Sequence, residues 1–192
     1  MCKGGSIIPL KLAAVRAGLG WQRKHSLLIS KQFGTFLALG GIITNARLEH
    51  TEKEEPNRCG SCTACQDACP TRTLDKPYVL NRRRCLSNAL QNESLPKTIR
   101  PILANHIIDC EICQLVCPWN RKHLDRPLET KITQVFQQQI ERWNRFFYLP
   151  DLARLSESEY KDTLEHLNSR IPYHVFRRNV RVAKENAEEG VV

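Results

Sequence analysis

The sequence predicts an α+β protein in three consecutive parts: a small α/β segment over residues 1–50, a cysteine-rich module over 51–125 and an α-helical segment over 126–192. Three observations carry that prediction. Nine cysteines occur, and all but Cys2 lie between Cys59 and Cys117. The stretch before them mixes one helix-like run with two β-like runs, and the stretch after them shows apolar residues at helical spacing.

The opening run "IIPLKLAAVRAGLGW" reads as a short helix stopped at Gly18, since glycine takes the left-handed conformation that ends a helix. Two β-like runs follow, "SLLI" from Ser26 and "TFLALGGIITN" from Thr35, with Gly40 and Gly41 suggesting a bulge or a close backbone approach. The polar, acidic stretch "EHTEKEEPN" then reads as a linker into the cysteines. The pair G-x-G in "AGLGW" lacks the third glycine and the preceding strand of a dinucleotide cradle, so it reads as a structural turn.

Residues 59–70, "CGSCTACQDACP", carry the spacing C-x2-C-x2-C-x3-C-P, and residues 109–120, "DCEICQLVCPWN", repeat it with the first cysteine missing. Disulfides fit poorly: no secretory signal is evident, and cysteines two residues apart do not pair comfortably with one another. Zinc uses CxxC pairs too, but a third cysteine at the same interval and a closing Cys-Pro are features of iron–sulfur runs. In the bacterial ferredoxin pattern three cysteines of a run hold one [4Fe–4S] cluster and the fourth crosses to the other. Cys59, Cys62 and Cys65 therefore take Cys117 as fourth ligand, and Cys69 joins Cys110 and Cys113. The second set is one short, because Ile107 stands where its cysteine would be. Cys85 is the remaining cysteine of the region and supplies that ligand. Eight cysteines then make two four-thiolate sites, and the module of residues 51–125 is a ferredoxin-like dicluster [4Fe–4S] module.

Between the runs, "NRRRCLSNAL" and "KTIRPILANHII" have helical composition limited by Pro96 and Pro101. Beyond them, "KITQVFQQQIERWNRFF" places Ile132, Val135, Phe136, Ile140, Trp143 and Phe147 on one helical face, which reads as a core stripe. Ser156 with Glu159 reads as a capping box opening a further helix, and "YHVFRRNVRVAKENAEE" as the last. The six histidines form no pair at helical spacing and receive no chemistry.

Lysine and arginine outnumber aspartate and glutamate by 29 to 20, giving a net charge of +9. Two clusters with their thiolates, about −2 each when oxidised, would bring the loaded protein to about +5, still basic enough to favour an anionic partner. Arg177, Arg178 and Arg181, within about one helical turn, and Arg82 to Arg84 are the candidate patches for a nucleic-acid backbone. The longest uncharged run, residues 32–46, is too short to cross a bilayer, and Pro9, Lys11 and Arg16 break any leader-like core; the expectation is a cytoplasmic protein with no membrane span.

"AVRAGLGW", "LLI…FGTFLALGGIITN", "CGSCTACQDACPT", the lone "RRRC", "CEICQLVCPWN" and "LPDLARLSESEY…FRRN" together, in this order, resemble the C-terminal half of the epoxyqueuosine reductase family. The resemblance implies an iron–sulfur oxidoreductase acting on a modified base in tRNA, with two clusters feeding electrons to cobalamin. It implies the same division of ligands as the spacing, and it would bring Gly18, Gly20 and Ser87 near the corrin. Two departures stand out: "KGGSII" replaces the region where the family has an acidic proton donor, and Arg23 stands where it places a glycine. The chain is thus expected to be the electron-delivering dicluster part of a truncated or split enzyme, to need a complementary N-terminal chain, and to bind cobalamin weakly or not at all by itself. The alternatives are a stand-alone dicluster electron-transfer protein and a zinc-binding nucleic-acid module.

Overall fold

A computed structural model describes residues 8–49, 53–125, 138, 141, 148–165 and 170–191. The chain divides into two units interleaved in sequence, Met1–Asn81 with Glu111–Leu128 and Arg82–Cys110 with Glu129–Val192, whereas the three expected segments are consecutive. Short helices dominate, and the described sheet, of two strands, lies in the first unit; the described elements of the second unit are all helical.

In the first unit, helix α1 (Leu10–Arg16) ends as its sequence predicts. Gly18, at φ +70°, donates its N–H to the Val15 carbonyl at 3.0 Å while Leu19 donates to Ala14 at 3.0 Å, the two bonds of a left-handed helix stop. Strands β1 (Trp21–Gln22) and β2 (Leu28–Ile29) pair antiparallel, with Trp21 opposite Ile29. Gly20 is required by this hairpin, because a Cβ there would lie 1.8 Å from the Ile29 carbonyl oxygen. The "SLLI" run is thus a strand.

The "TFLALGGIITN" run is not. Residues 35–45 carry no regular structure among the described residues. A strand needs a neighbour to take its backbone hydrogen bonds, and apart from the Ser30–Gly34 bridge just before it none is available. Ile42 and Ile43 are left 94% and 85% exposed, and of the two glycines predicted to mark a close approach, Gly41 faces Leu10 whereas Gly40 faces open space.

The cysteine runs each contribute one short helix, α2 (Ala64–Asp67) and α5 (Ile112–Leu115), which pack on each other. Between them in sequence, in the second unit, come a 3-10 turn (Arg82–Arg84), α3 (Leu86–Gln91), a second 3-10 turn (Lys97–Ile99) and α4 (Arg100–Leu103), the last beginning with Pro101 in its first turn as the sequence suggests. Helix α6 (Arg121–Asp125) closes the first unit's described part.

The remaining helices of the second unit are α7 (Leu149–Arg154), α8 (Glu157–Thr163) and α9 (Tyr173–Glu188). The capping box is present: the Glu159 N–H donates to the Ser156 hydroxyl, and the Ser156 N–H donates to the Glu159 carboxylate at 3.0 Å. Helix α9 buries Val175, Phe176, Val180, Val182 and Ala183. Val175, Phe176 and Val180 meet Tyr160, Leu164 and Ile171, while Val182 and Ala183 meet Leu86, Leu90 and Leu103. The helix predicted over Lys131 to Phe147 lies, apart from 138 and 141, outside the described residues, as does Cys2.

Candidate metal centre

The two cysteine runs fold into the same turn, residue for residue. Thr63 and Glu111 precede the helices with nearly identical backbone angles (φ −117°, ψ 4° and φ −111°, ψ 11°). The N–H of Gln66 donates to the Thr63 carbonyl at 2.8 Å, and that of Gln114 to the Glu111 carbonyl at 2.7 Å. Cys69 then donates to Gln66 and Cys117 to Gln114, and the chain turns back through bonds from Arg72 to Cys69 and from Asn120 to Cys117. Cys62 corresponds to Cys110, Cys65 to Cys113, Cys69 to Cys117, and Cys59 to Ile107. The position lacking its thiol is not idle: Ile107 packs into the core of the second unit, and its carbonyl accepts a 2.8 Å bond from Asn179 Nδ2.

Cys59 and Cys117 are 4% and 2% exposed and share one apolar group with Trp21, Ile29 and Trp119. Trp21 and Trp119 meet edge to face, ring centroids 4.8 Å apart. Cys65, Cys69, Leu74 and Cys113 form a second group, so the thiols assigned to the two sets interleave within the first unit. Cys62 is half-buried there, and its carbonyl and that of Gly60 accept bonds from Lys24 Nζ at 2.8 Å each. Gly60 sits at φ +50°, a left-handed position suited to glycine. Cys85 and Cys110 belong to the second unit. Cys85 precedes α3 in extended conformation, and Cys110 borders the Leu86–Leu103 core.

The environment of these sulfurs fits iron–sulfur ligation. Trp119 donates its backbone N–H to Cys117 Sγ at 3.1 Å and Thr73 donates to Cys69 Sγ at 3.4 Å, and such N–H groups stabilise charged sulfur. Buried Trp21 Nε1, packed against Cys59 and Cys117, has no acceptor of its own. Soft thiolates in an apolar, amide-lined site are what a cluster needs. Among the described residues no three Cys, His or carboxylate side chains converge as ligands of a single ion.

Several residues that shape the site were not singled out as such by sequence. Arg23 is 3% exposed, and its guanidinium donates to Cys117 Sγ. Burial works to lower its pKa, but its hydrogen bond to Cys59 and the charges of Cys117 and Cys59 outweigh burial and raise it. Burial pushes the Cys65 thiol up, with Arg23 pulling the other way. His25 is 2% exposed, and burial, helped by the Arg23 charge, lowers its pKa to about 4. Asn120, fully buried, accepts from the Thr35 N–H at 2.8 Å and donates to the Gln114 carbonyl at 2.8 Å and to Thr35 Oγ1 at 2.6 Å. The distinctive "CPWN" ending was the available signal for Asn120; nothing in the pattern marked Arg23 as inward-facing.

Of the three residues expected near a corrin, Gly18 and Gly20 face this chain's own Lys53 and Ile29 carbonyls, where a Cβ would stand 2.6 Å and 1.8 Å from the oxygens, and Ser87 donates its hydroxyl to Asp109. On the second unit, a groove of about 620 Å3 is lined by Tyr173, His174, Arg177, Arg181 and Lys184.

Residues 58–120 match the family model of a 4Fe-4S double cluster binding domain. The epoxyqueuosine reductase of Prochlorococcus marinus is 33% identical over 184 residues, 94% of this chain and 57% of that one. That of Escherichia coli is 34% identical over 180 residues, covering 91% and 45%. Over nearly its whole length the chain is similar to one half of epoxyqueuosine reductases. It spans about half the length of the curated relatives it matches. The structure of epoxyqueuosine reductase from Bacillus subtilis superimposes with a TM-score of 0.75 at 29% identity, over 92% of this chain and 46% of that one. An epoxyqueuosine reductase solved with an epoxyqueuosine-modified tRNA stem loop matches with a TM-score of 0.74 at 27% identity, over 94% and 47%. With the double-cluster match, two [4Fe–4S] clusters are the cofactors of this chain's cysteine module.

Proposed function

We propose that this chain is the electron-delivering part of a cytoplasmic epoxyqueuosine-reductase-type oxidoreductase, whose substrate is epoxyqueuosine in tRNA. The observation that carries the reading is the pair of superimposable cysteine turns, packed helix to helix in a chain similar to one half of these enzymes. In a ferredoxin-like arrangement Cys59, Cys62, Cys65 and Cys117 hold one cluster. Cys69, Cys85, Cys110 and Cys113 hold the other, an assignment that rests on ligand count and spacing. When bound, the clusters supply one-electron transfer. The chain's own residues exclude water from Cys59 and Cys117 with the two tryptophans, brace the first run through Lys24, and fix the second through Asn120.

The exposed Ile42, Ile43 and Leu48, on a stretch with the composition of a strand and no ladder partner, support docking of a complementary chain along residues 36–48. The cationic groove on α9 supports contact with the tRNA backbone. Cobalamin belongs to the complete enzyme in this reading, and Gly18, Gly20 and Ser87 do not by themselves make a site for it. Titrating the isolated chain with cobalamin should therefore show weak binding or none; tight stoichiometric binding would overturn that part.

The test is anaerobic reconstitution followed by activity. The loaded chain should absorb broadly near 400 nm, and Cys85→Ser should lose about half the iron. Mixed with the missing half of a relative, cobalamin, a low-potential reductant and epoxyqueuosine-containing tRNA, it should yield queuosine detectable by mass spectrometry. Full iron loading, reduction of an artificial acceptor and no queuosine would instead identify a stand-alone electron carrier.

A further inference from the structure

Among the described residues Arg23 is the one buried lysine or arginine, and it is buried against sulfur. It leaves strand β1 into a tight turn, its N–H donating to the Leu27 carbonyl at 2.9 Å and its carbonyl accepting from the Ser26 N–H at 2.8 Å. That turn fixes the backbone so that the side chain points inward. One guanidinium nitrogen donates to Cys117 Sγ, Cys59 is a second partner, and the charge is felt at Cys65. The buried Nε has no partner among the described residues, so one N–H remains for a further sulfur. Among the described residues the charges that act on Arg23 are those of the Cys117 and Cys59 thiolates.

We infer that Arg23 is a positioning residue for the cluster held by Cys59, Cys62, Cys65 and Cys117, and that it raises that cluster's reduction potential above what the same thiolates would give alone. The inference rests on the ligand assignment proposed above. Reduction adds one electron, taken from a low-potential donor such as dithionite, and takes the cluster with its four thiolates from about −2 to about −3 with no bond broken and no proton moved. A fixed cation close to the sulfurs, in surroundings of low polarity, stabilises the more negative state more. Its N–H donors act in the same direction, since hydrogen bonds to cluster sulfurs raise the potential. The neutral His25 beside it offers no competing charge.

The test is an anaerobic redox titration, followed by electron paramagnetic resonance, of the reconstituted full chain and of Arg23→Gln and Arg23→Lys. Two midpoints are expected in the native chain. Arg23→Gln should weaken reduction of one cluster at least tenfold, a fall of about 59 mV for a one-electron couple, and leave the other unchanged, while Arg23→Lys should keep most of the native value. Intact iron content with neither midpoint moved in Arg23→Gln would overturn the inference and leave the ligand assignment standing. If Arg23→Gln fails to hold the cluster, the native chain decides: with 15N-labelled guanidinium arginine, the reduced cluster should show a nitrogen hyperfine coupling, and its absence would overturn the inference. A native chain that reconstitutes with only one cluster would defeat the ligand assignment itself.

Discussion

Asn120 makes two hydrogen bonds that tie the second cysteine turn to Thr35 and a third within that turn to Gln114, and Gly34 is placed so close that a Cβ there would stand 2.1 Å from the Asn120 Oδ1. Asn120→Ala leaves the Thr35 N–H without its acceptor, and should destabilise the loaded protein by about 2 kcal/mol, read as a lower urea midpoint. His25 sets a pH dependence whose direction follows from its depressed pKa. The unfolded chain takes up a proton near pH 6.5 and the folded one only near 4, so stability contributed by neutral His25 is full above about pH 6.5 and is lost as the pH falls towards 4. The loss should reach about 3 kcal/mol, and His25→Leu should flatten the difference between urea midpoints at pH 7 and pH 5. At this scale the candidate ligands stand out in the sequence because their chemistry demands one residue type at fixed intervals. Arg23 and His25 were not, because burial depends on how the hairpin turns, and periodicity over two-residue strands carries no such information.

At the scale of elements, local signals succeeded where the deciding interactions were themselves local. The helix stop at Gly18 and the capping box at Ser156 are both made within a few residues. Ser156→Ala should destabilise α8 by about 1 kcal/mol, measurable as a small fall in the thermal midpoint. Phe176, fully buried with Tyr160 at a centroid distance of 4.6 Å, should matter more: Phe176→Ala should cost about 4 kcal/mol by leaving a cavity. The strand expected over residues 35–45 failed because a ladder is made by a neighbour, and alternation in one segment says nothing of whether the neighbour is there. The arginine cluster on α9 was legible only as charge. Arg178, Arg181 and Lys184 all line the groove, but Arg178 donates to the carbonyls of Leu90, Asn92 and Glu93 and so ties α9 to the end of α3, whereas Arg181 and Lys184 meet carboxylates only at 3.8 Å.

For the whole molecule this distinction alters the expected RNA experiment. Arg181→Gln with Lys184→Gln should weaken binding of a tRNA stem loop and flatten its salt dependence with the iron content unchanged; unaltered binding at low salt would assign the groove to solvation. Arg178→Gln should instead lower thermal stability. The interleaving of the two units has a topological consequence. The first unit is built from two separate passes of the chain, Met1–Asn81 and Glu111–Leu128, with residues 82–110 diverted between them. In the proposed ligation a cluster held by Cys65 and Cys117 would bolt the two passes together and close a loop of about 50 residues, which by chain-entropy reasoning would narrow the unfolded ensemble by about 4 kcal/mol, as a disulfide across the same span would. Iron so bound would also be a cross-link, and a chelator should then release the second pass from the first before the helices of the second unit melt.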